Sequence, residues 1–429
     1  MWKCYLYLLV VNRWLLELAA GRIPGLLINL PPRHGKSTLI SRYFPVWYTG
    51  IFPSKRILLA SYEGNFASSW GLKARDTAQE FSPLIFGSDR RVRLDVSAAS
   101  NWQYRGHEGG MTTAGVRGPI TGKGGDILIL DDPVRDEKEA MNRTRLDEIW
   151  EWFRITWSSR LEPGGGMLVI QTRWNEADPA GRILADPMYA GWVHLSFPAM
   201  AEENDPLGRS VGQALCPDRY DEARLEDIRA GVGGFWWSSV YQQNPRAIGG
   251  NIWKAEWFKK FRGDPPGNRL RRIQVLDSAH KTKTSNDFSV ITTMDETTEG
   301  VFIRHVWRDK VPFPELKRKV AGQYEAWGPD ALVIEDKDAG AMIIQELESE
   351  PSVAVIPIQT DRDKIARAHA ASPLAEAGKV GYDEDGPWVD EFLKEITAFP
   401  KAPYDDQADT LAHGINYLKG PQGPGLFFA

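Results

Sequence analysis

A short run with a phosphate-binding composition follows an apolar stretch near the start of the chain. The tetrapeptide GKST, residues 35–38, comes after the apolar residues 26–30 and the turn PPRH. Glycine lets backbone N–H groups approach a phosphate closely, and the N-terminus of a following helix favours an anion. Lys36 would then reach the β- and γ-phosphates of ATP, and the Ser37 hydroxyl would bind Mg²⁺. Leu30 replaces the first glycine of the strict G-x-x-x-x-G-K-[ST] pattern, so a chance Gly-Lys-Ser turn remains an alternative for this motif alone.

A second apolar run, residues 127–130, ends in the two acids Asp131 and Asp132. Ligands of open α/β sheets bind at the carboxyl ends of the strands, so these acids are candidates for a Mg²⁺ site. We expect Asp131 to hold Mg²⁺ through water and Asp132 to polarise the attacking water. An ordinary Asp-Asp-Pro turn is the alternative. Thr172, after the apolar run 167–170, either senses the γ-phosphate or belongs to a plain strand-end turn.

The two motifs lie about a hundred residues apart and each follows a predicted buried strand. A chance turn can account for one of these motifs, but both motifs, each after a strand, are much harder to produce by chance. The pair therefore predicts an ATPase that uses ATP and Mg²⁺.

A third group of acids lies at the ends of later apolar runs and at the start of the last predicted helix: Asp277, Glu335, Asp405, Asp406 and Asp409. Hydrolysis of a phosphodiester by two metals needs several carboxylates within about 4 Å of two divalent ions. A strand-tip Asp, a strand-tip Glu and an Asp on the C-terminal helix are the arrangement of RNase H-like nucleases. Any one acid alone is more often simply solvated. Asp287 is a further candidate for the second metal, or it only caps a strand.

Short apolar runs predict the strands that must position these side chains. The first set lies at 26–30, 57–60, 127–130 and 167–170, and the second at 272–278, 288–294, 301–307, 331–335 and 353–358. Helices are expected over 137–160, 314–327, 339–349 and 406–418. The region 198–268 is rich in Pro, Gly and charge and is expected to be a connector. The sequence thus predicts an α/β protein with domains at 1–197, 198–268 and 269–429.

Composition excludes several other classes. The 429 residues carry a net charge of −5 and only two cysteines, which excludes a basic nucleic-acid coat and a disulfide framework. No uncharged apolar run of about 18 residues occurs, so no membrane partner is expected. The interrupted apolar run at 5–11 favours a buried or amphipathic helix over a signal peptide. An intracellular location is therefore expected.

At this point the chain resembles the large subunit of a tailed-phage DNA-packaging terminase. The resemblance rests on seven segments in the family's order: PPRHGKS (31–37), TGKGGDILILDDP (121–133), QTRW (171–174), YQQNP (241–245), VLDSAHKTKTSNDFSV (275–290), LVIEDKDAG (332–340) and YDDQADTLAHGINYL (404–418). It implies a RecA-like P-loop packaging ATPase, followed by an RNase H-like nuclease that uses Mg²⁺ or Mn²⁺. It also implies double-stranded DNA, a portal protein and a small terminase subunit as partners. A homo-oligomeric ring would form at the procapsid portal, in the host cytoplasm.

The resemblance assigns roles to residues that match the family's motifs. The phosphate loop would comprise Arg33, Gly35, Lys36, Ser37 and Thr38. Asp131 would hold the metal, Asp132 would be the catalytic acid, and Thr172 would lie in the coupling motif. Asp277, Glu335 and one of Asp405, Asp406 or Asp409, with Asp406 favoured, would be the nuclease acids.

Three points remain open at the level of sequence. The first 78 residues contain no glutamine, so the family's usual adenine contact is unassigned. Arg105 and Arg117 are candidates for an arginine that a neighbouring subunit inserts at the γ-phosphate. The basic residues that flank the Asp277 strand either hold DNA phosphates beside the metal site or lie on a solvated face: Arg269, Arg271, Arg272, Lys281 and Lys283. A helicase-like ATPase-nuclease of DNA repair and a non-catalytic portal-binding module are the alternative functions.

Overall fold

The protein is described by a computed structural model that covers residues 3–245, 251–278, 288–347, 353–359 and 364–419. The chain divides into two compact units, the first formed by residues 1–229 and 234–247 and the second by residues 230–233 and 248–429. Asp287 lies outside the described residues. Each unit is built around its own sheet and is considered separately.

In the described part of the chain, the first unit contains an eight-stranded sheet with the strand order β3-β4-β5-β2-β6-β7-β1-β8. Strands β5, β2, β6, β7, β1 and β8 are parallel, and β3 and β4 extend the β5 edge in antiparallel fashion. The strands are β1 Gly25–Asn29, β2 Arg56–Ser61, β3 Val92–Ala98, β4 Asn101–Tyr104, β5 Gly110–Gly115, β6 Gly125–Asp131, β7 Leu161–Gln171 and β8 Val193–Ser196. Every residue of β1 and β6 is buried, as expected for central parallel strands that are covered on both faces.

Helices cover the two faces of this sheet. They are α1 Leu6–Ala19, α2 Phe44–Ile51, α3 Gly64–Ile85, α4 Glu137–Met141, α5 Arg143–Trp152 and α6 Pro179–Ala185. A further helix, α7 Glu222–Trp236, is interrupted by the non-helical residue Gly233. Helix α1 buries Tyr7, Leu8, Val11, Leu15 and Leu18, a spacing of three and four residues that places them on one face. The prediction of an amphipathic N-terminal helix is therefore confirmed. None of the helices in the described ranges is both long and apolar enough to cross a membrane.

Over the ranges given above, the second unit contains a seven-stranded sheet with the order β14-β13-β10-β11-β12-β15-β9. Strand β10 is parallel to β13 and antiparallel to β11, and β11 is antiparallel to β12. The strands are β9 Phe258–Phe261, β10 Arg269–Asp277, β11 Ser289–Thr297, β12 Gly300–Asp309, β13 Ala331–Glu335, β14 Val355–Ile358 and β15 Val380–Asp383. The five strands predicted for this region are present, and β9 and β15 add an edge that the apolar pattern did not indicate.

The helices of the second unit are α8 Phe313–Trp327, α9 Asp338–Leu347, α10 Lys364–Glu376, α11 Val389–Ala398 and α12 Asp406–Lys419. Helix α12 packs closely on β10 and β11. A Cβ atom at Gly414 would lie 2.5 Å from the Met294 sulfur and 3.2 Å from a methyl carbon of Val275. This close approach brings the acidic first turn of α12 to the sheet edge where β10 and β13 end.

Candidate functional site

The phosphate-binding sequence forms a tight loop between β1 and a helix. Arg33 and Gly35 have positive φ angles of 60° and 82°, and glycine adopts such a conformation at little cost. The backbone N–H of Leu39 donates to the Gly35 carbonyl, so the helix begins directly after this turn. Residues Thr38–Tyr43 of this helix form a π-helical turn that continues into α2. The sequence therefore places a helix N-terminus at the end of a central strand, as expected for an anion site.

Lys36 joins the two ATPase motifs physically. Its Nζ lies 2.9 Å from Asp132 Oδ2 and donates to Thr172 Oγ1 at 2.6 Å. The three residues follow or end strands β1, β6 and β7, which are neighbours in the sheet although their motifs are far apart in sequence. The Lys36 side chain is only 7% exposed, so these two contacts satisfy a charge that has lost most of its water.

Asp131 is fully buried and accepts hydrogen bonds from two serines of the loop helix. Ser37 Oγ donates to Oδ1 at 3.0 Å, and Ser41 Oγ donates to Oδ2 at 2.6 Å. Ser37 was expected beside the metal acid, whereas Ser41 was not identified from the sequence. Its position one turn after Ser37 is a signal that a helical interpretation of residues 38–43 would have provided.

Asp132 and Thr172 hold the strand tips in register. Asp132 adopts a positive φ of 45°, and its Oδ1 accepts from the Thr172 backbone N–H at 2.8 Å. The Thr172 hydroxyl also donates to the Leu30 carbonyl at 3.2 Å. The predicted coupling residue therefore touches the phosphate-loop lysine, the predicted catalytic acid and the end of β1 at once.

Burial and the neighbouring Asp132 charge raise the pKa of Asp131 to about 7, although Ser41, Lys36 and Ser37 oppose the shift. A site that raises the pKa of a carboxyl in this way favours an added cation. Asp131 and Ser37 are oxygen ligands of the kind that Mg²⁺ prefers, so the residues fit the ion.

A cavity of about 420 Å³ opens beside the phosphate loop. Its lining comes from the N-terminal segment, the loop and the segment before α7: Lys3, Tyr5, Tyr7, Leu8, Arg33, His34, Gly35, Cys216, Asp218 and Arg219. The His34 ring stacks on Tyr220 with centroids 5.3 Å apart, and burial lowers the pKa of His34 to about 4, so this ring is neutral near pH 7. The cavity thus offers aromatic walls next to the phosphate site.

The two arginines considered for a contact from a neighbouring subunit lie in loops of the first unit. Neither lines the cavity beside the phosphate loop. Arg117 Nη1 donates to Glu148 Oε2 on α5 at 2.5 Å. Because such a contact needs a second subunit, Arg105 and Arg117 stay predictions.

The acids of the second unit meet at one edge of its sheet. Asp277 ends β10 and Glu335 ends β13, and these strands are adjacent and parallel. Asp406 begins α12 at the same edge. His413 lies about two turns after Asp406 on α12. Its Nε2 atom is 3.9 Å from Glu335 Oε2, and burial lowers the pKa of His413 to about 4. The contact is therefore with a neutral imidazole at neutral pH.

Two basic residues of α10 hold the other acids of this edge. Lys364 Nζ lies 2.9 Å from both Asp405 Oδ1 and Asp409 Oδ2. Arg367 Nη2 lies 2.7 Å from Asp409 Oδ1, and both members of that pair are buried. Both Asp409 oxygens are therefore paired with cations that the chain itself supplies.

The pKa of Asp277 is raised well above its ordinary value. Loss of hydration is the main cause, followed by the charges of Asp409, Asp406 and Glu335, while Lys364 opposes the shift. Repulsion of this kind means that the four carboxylates share one electrostatic environment.

The pKa of Asp406 is raised to about 6. Burial is the main cause, followed by the charges of Glu395 and Asp405, and Lys364 and Arg308 oppose the shift. The ionised forms of Asp277 at the strand tip and Asp406 on the helix are thus energetically unfavourable, and a bound cation would stabilise them.

Within the described ranges, no three His, Cys, Asp or Glu side chains are already arranged to hold one metal ion. The pairing of Asp405 and Asp409 with Lys364 and Arg367 is one physical reason. The donor set consists of carboxylate oxygens, which suit Mg²⁺ or Mn²⁺. The residues therefore fit a divalent ion chemically, although the acids must close on it.

Two family models match the chain. A model described as "Terminase large subunit, T4likevirus-type, N-terminal" matches residues 27–260, and one described as "Terminase RNaseH-like domain" matches residues 274–418. The chain belongs to the terminase large-subunit family.

Solved large terminases share the fold of this terminase chain. The large terminase of a thermophilic bacteriophage in one crystal form is 11% identical, with 94% of this chain and 98% of that chain covered and a TM-score of 0.54. The complex of the same phage protein with ADP is 12% identical, with coverages of 95% and 99% and a TM-score of 0.52. At such low identities these similarities show the fold. No curated protein matches the chain.

Family membership confirms the predicted α/β architecture with an ATPase domain and an RNase H-like nuclease domain. As a large terminase subunit, the protein is an ATPase and a nuclease that acts in the packaging and cutting of viral DNA. DNA and components of the packaging machinery are its partners.

The suggestion that Arg269, Arg271 and Arg272 hold DNA beside the site at Asp277 is wrong. All three lie in the first half of β10, whereas Asp277 lies at its end. Lys281 and Lys283, named in the same suggestion, lie outside the described residues. Arg271 is paired with Glu296 and Arg272 with Asp295 on the neighbouring strand. The basic residues near the terminase acids instead come from α10 and the end of β12, which are distant in sequence and gave no local signal.

The raised pKa of Asp131 predicts how its replacement alters stability. A carboxyl whose pKa rises on folding, here from 3.8 to about 7, destabilises the metal-free folded state increasingly as the pH rises through that interval. Asp131→Asn removes the ionisable group. We expect the variant to unfold at a higher temperature than the wild type at pH 8, by about 2–4 °C or more, and to lose most of this gain at pH 5.

Thermal unfolding without metal at both pH values measures the effect. The exposed carboxylate Asp390 offers a control, because Asp390→Asn should produce little pH-dependent change. An equal gain for Asp131→Asn at pH 5 and pH 8 would contradict the assignment of the shift to ionisation.

Proposed function

We propose that the first unit binds ATP with Mg²⁺ and hydrolyses it to drive double-stranded viral DNA into a procapsid. The contact of the Lys36 ammonium with both Asp132 and Thr172 supports this proposal most directly. A cation that lies between a carboxylate and a hydroxyl at neighbouring strand tips can exchange these partners for phosphate oxygens. Removal of either motif from this edge of the sheet would remove that exchange.

The phosphate loop supplies the binding groups. Backbone N–H groups around Gly35 and at the helix start near Thr38 face the phosphates, and Lys36 binds the β- and γ-phosphates. Arg33, held with a positive φ in the same loop, adds a second cation. Ser37 and Asp131 hold Mg²⁺, which neutralises charge on the phosphates when it is bound.

Two further residues act on the hydrolysis itself. Asp132 accepts hydrogen bonds from the attacking water and orients it toward the γ-phosphate. Its side chain is shorter than that of glutamate, but its left-handed backbone conformation displaces the carboxylate from the strand direction. Thr172 bonds to both Lys36 and Asp132, so a change at the γ-phosphate reaches the end of β7 through it.

The cavity beside the loop is the proposed site of the nucleotide base. Tyr5 and Tyr7, whose rings stack at a centroid distance of 5.7 Å, form one wall, and Arg219 contributes to the lining. Aromatic walls next to a phosphate loop suit a planar base. Solved structures of the thermophilic-phage large terminase contain ADP or ATP-gamma-S, which is in keeping with nucleotide binding by this fold.

The second unit is the proposed centre of DNA cutting. Asp277, Glu335 and Asp406 would hold divalent ions. Asp405 would become a further ligand after its ion pair with Lys364 breaks. Asp409 instead anchors α12 through its pair with Arg367. Divalent ions held by these acids would supply activation of the attacking water and stabilisation of the leaving oxygen of the phosphodiester.

We further propose the assembly that the family membership implies. Residues 198–268 connect the ATPase domain, residues 1–197, to the nuclease domain, residues 269–429. Copies of the chain form a ring on the portal protein in the host cytoplasm, and a small terminase subunit selects the DNA. Cross-linking of the purified chain to a portal protein, with and without ATP, tests this assembly.

Lys36→Ala separates the motor from the nuclease. Among the described contacts, Lys36 is the only cationic side chain that joins the loop after β1 to both Asp132 and Thr172. Its loss should reduce ATP hydrolysis at least about a hundredfold. Cutting of plasmid DNA with Mn²⁺ and without ATP should remain at the wild-type rate. Lys123→Ala, in an exposed loop, is the control, and full ATP hydrolysis by Lys36→Ala would refute the motor assignment.

Asp277→Asn tests the nuclease in the opposite direction. The substitution keeps the size of the side chain but removes a metal-binding charge at the end of β10. We expect plasmid cutting to fall to background and ATP hydrolysis to stay unchanged. Asp390→Asn serves as the control, and wild-type cutting by Asp277→Asn would place the nuclease centre elsewhere.

Tyr5→Ala tests the proposed base site. Because stacking on an aromatic side chain contributes about 1–3 kcal/mol per base, loss of the ring should raise the KM for ATP about tenfold or more with little change in kcat. Tyr5→Phe keeps the ring and loses only the hydroxyl that donates to Asp218, so its KM should stay near the wild-type value. Equal KM values for all three proteins would exclude this wall from base binding.

A further inference from the structure

An aromatic and basic cluster lies at the sheet edge that carries the nuclease acids. Strand register connects the two: Asp277 at the end of β10 pairs with Val290, and Val290 pairs with Arg308 near the end of β12. Lys310 follows β12 directly. Tyr404 precedes Asp405 and Asp406 in sequence, so the cluster adjoins the first turn of α12.

Two rings form a platform at this place. Phe288 and Tyr404 lie edge to face, with centroids 5.0 Å apart and an interplanar angle of 90°. Lys310 Nζ lies 4.4 Å from the Phe288 centroid and 5.4 Å from the Tyr404 centroid. The Arg308 guanidinium carbon lies 3.6 Å from the Phe288 centroid. The rings therefore fix the positions of two cations by cation–π contact.

One of these cations is already neutralised. Arg308 pairs with Glu391 and lies 3.3 Å from Glu395. Lys364 and Arg367, the basic residues that α10 brings to the same edge, are paired with Asp405 and Asp409 as described above.

Lys310 differs from these three. Across the described residues, its ammonium forms no ion pair and contacts the two rings, while its backbone N–H donates to Asp309 Oδ1. The residue is exposed, and Tyr404 is 41% exposed. An exposed, fixed positive charge with an accessible ring thus lies at the rim of a strongly acidic site.

We propose that Lys310, positioned by Phe288 and Tyr404, binds a backbone phosphate of the DNA strand beside the phosphodiester that is cut. This inference rests on the proposed nuclease function of the second unit. The acids repel the polyanionic strand until metal ions are bound, so a nearby cation is needed to hold it in place. Tyr404 offers its ring face or edge to the adjoining sugar or base, which is a contact that does not depend on sequence.

The test is the salt dependence of cutting by the full chain in Mn²⁺ without ATP. Lys310→Met keeps the apolar stem and removes one phosphate contact. It should raise the KM for duplex DNA about tenfold, at the low end of what a charge-assisted hydrogen bond contributes. The slope of log(kcat/KM) against log[salt] should become shallower by about one. The kcat and the Mn²⁺ concentration for half-maximal activity should not change.

Lys319→Met is the matched control, because its ammonium lies 5.4 Å from the Trp307 centroid. Trp307 packs against the α8 face of the sheet, whereas Phe288 packs with the α12 face. This variant should retain the wild-type KM and salt slope. Lys310→Arg should restore the slope, and Tyr404→Leu should raise the KM where Tyr404→Phe does not.

Two results would overturn the proposal. An unchanged KM and salt slope in Lys310→Met would mean that the site contacts something other than DNA, such as an acidic protein segment. A loss of kcat or of Mn²⁺ activation with unchanged KM would mean that Lys310 acts on the chemistry or the metal. Failure of the nuclease assignment itself is distinguishable, because wild-type protein would then cut no DNA or Asp277→Asn would cut normally.

Discussion

The contact of Lys36 with Asp132 and Thr172 is the interaction on which the proposed ATPase site depends. It exists because β1, β6 and β7 are adjacent parallel strands, whose carboxyl ends meet at one edge of the sheet. Each strand is followed by one of these polar residues: Asp132 and Thr172 come directly after β6 and β7, and Lys36 comes at the end of the loop after β1. The burial of these central strands also removes water from the polar residues at their ends. Lys36 and Asp132 are therefore opposite charges that are held close together with little water around them. A phosphate group with its metal ion provides opposite charges with which both side chains can interact.

The nuclease site follows the same rule with a different balance of charge. Here β10 and β13 end in acids, and α12 approaches the sheet closely enough at Gly414 to add more. The resulting repulsion raises the pKa of Asp277 and of Asp406. Lys364 and Arg367 relieve part of it by pairing with Asp405 and Asp409. These ion pairs offset part of the repulsion, and among the described residues the acids are not yet arranged around an ion.

Much of this was accessible from the sequence because the decisive signals are local. Apolar runs that end in GKST, Asp-Asp or a single acid identify strand tips, and the rule for parallel sheets predicts that strand tips meet. Residues contributed by distant elements escaped prediction. Ser41 depends on the helical phase of a π-helical turn, Lys364 and Arg367 on the packing of α10, and Lys310 on the register of β12. The prediction that Arg271 and Arg272 lie beside Asp277 failed for a related reason. These residues are close to Asp277 in sequence, but they lie toward the opposite end of the extended strand β10.

The most direct test of this account is a structure of the full chain with Mg²⁺ and a non-hydrolysable ATP analogue. The account predicts that Lys36 Nζ leaves Asp132 and lies within hydrogen-bonding distance of a β- or γ-phosphate oxygen. Ser37 and Asp131 should then face the metal, and the base should lie beside Tyr5. A nucleotide bound elsewhere, with Lys36 still paired to Asp132 and Thr172, would contradict it.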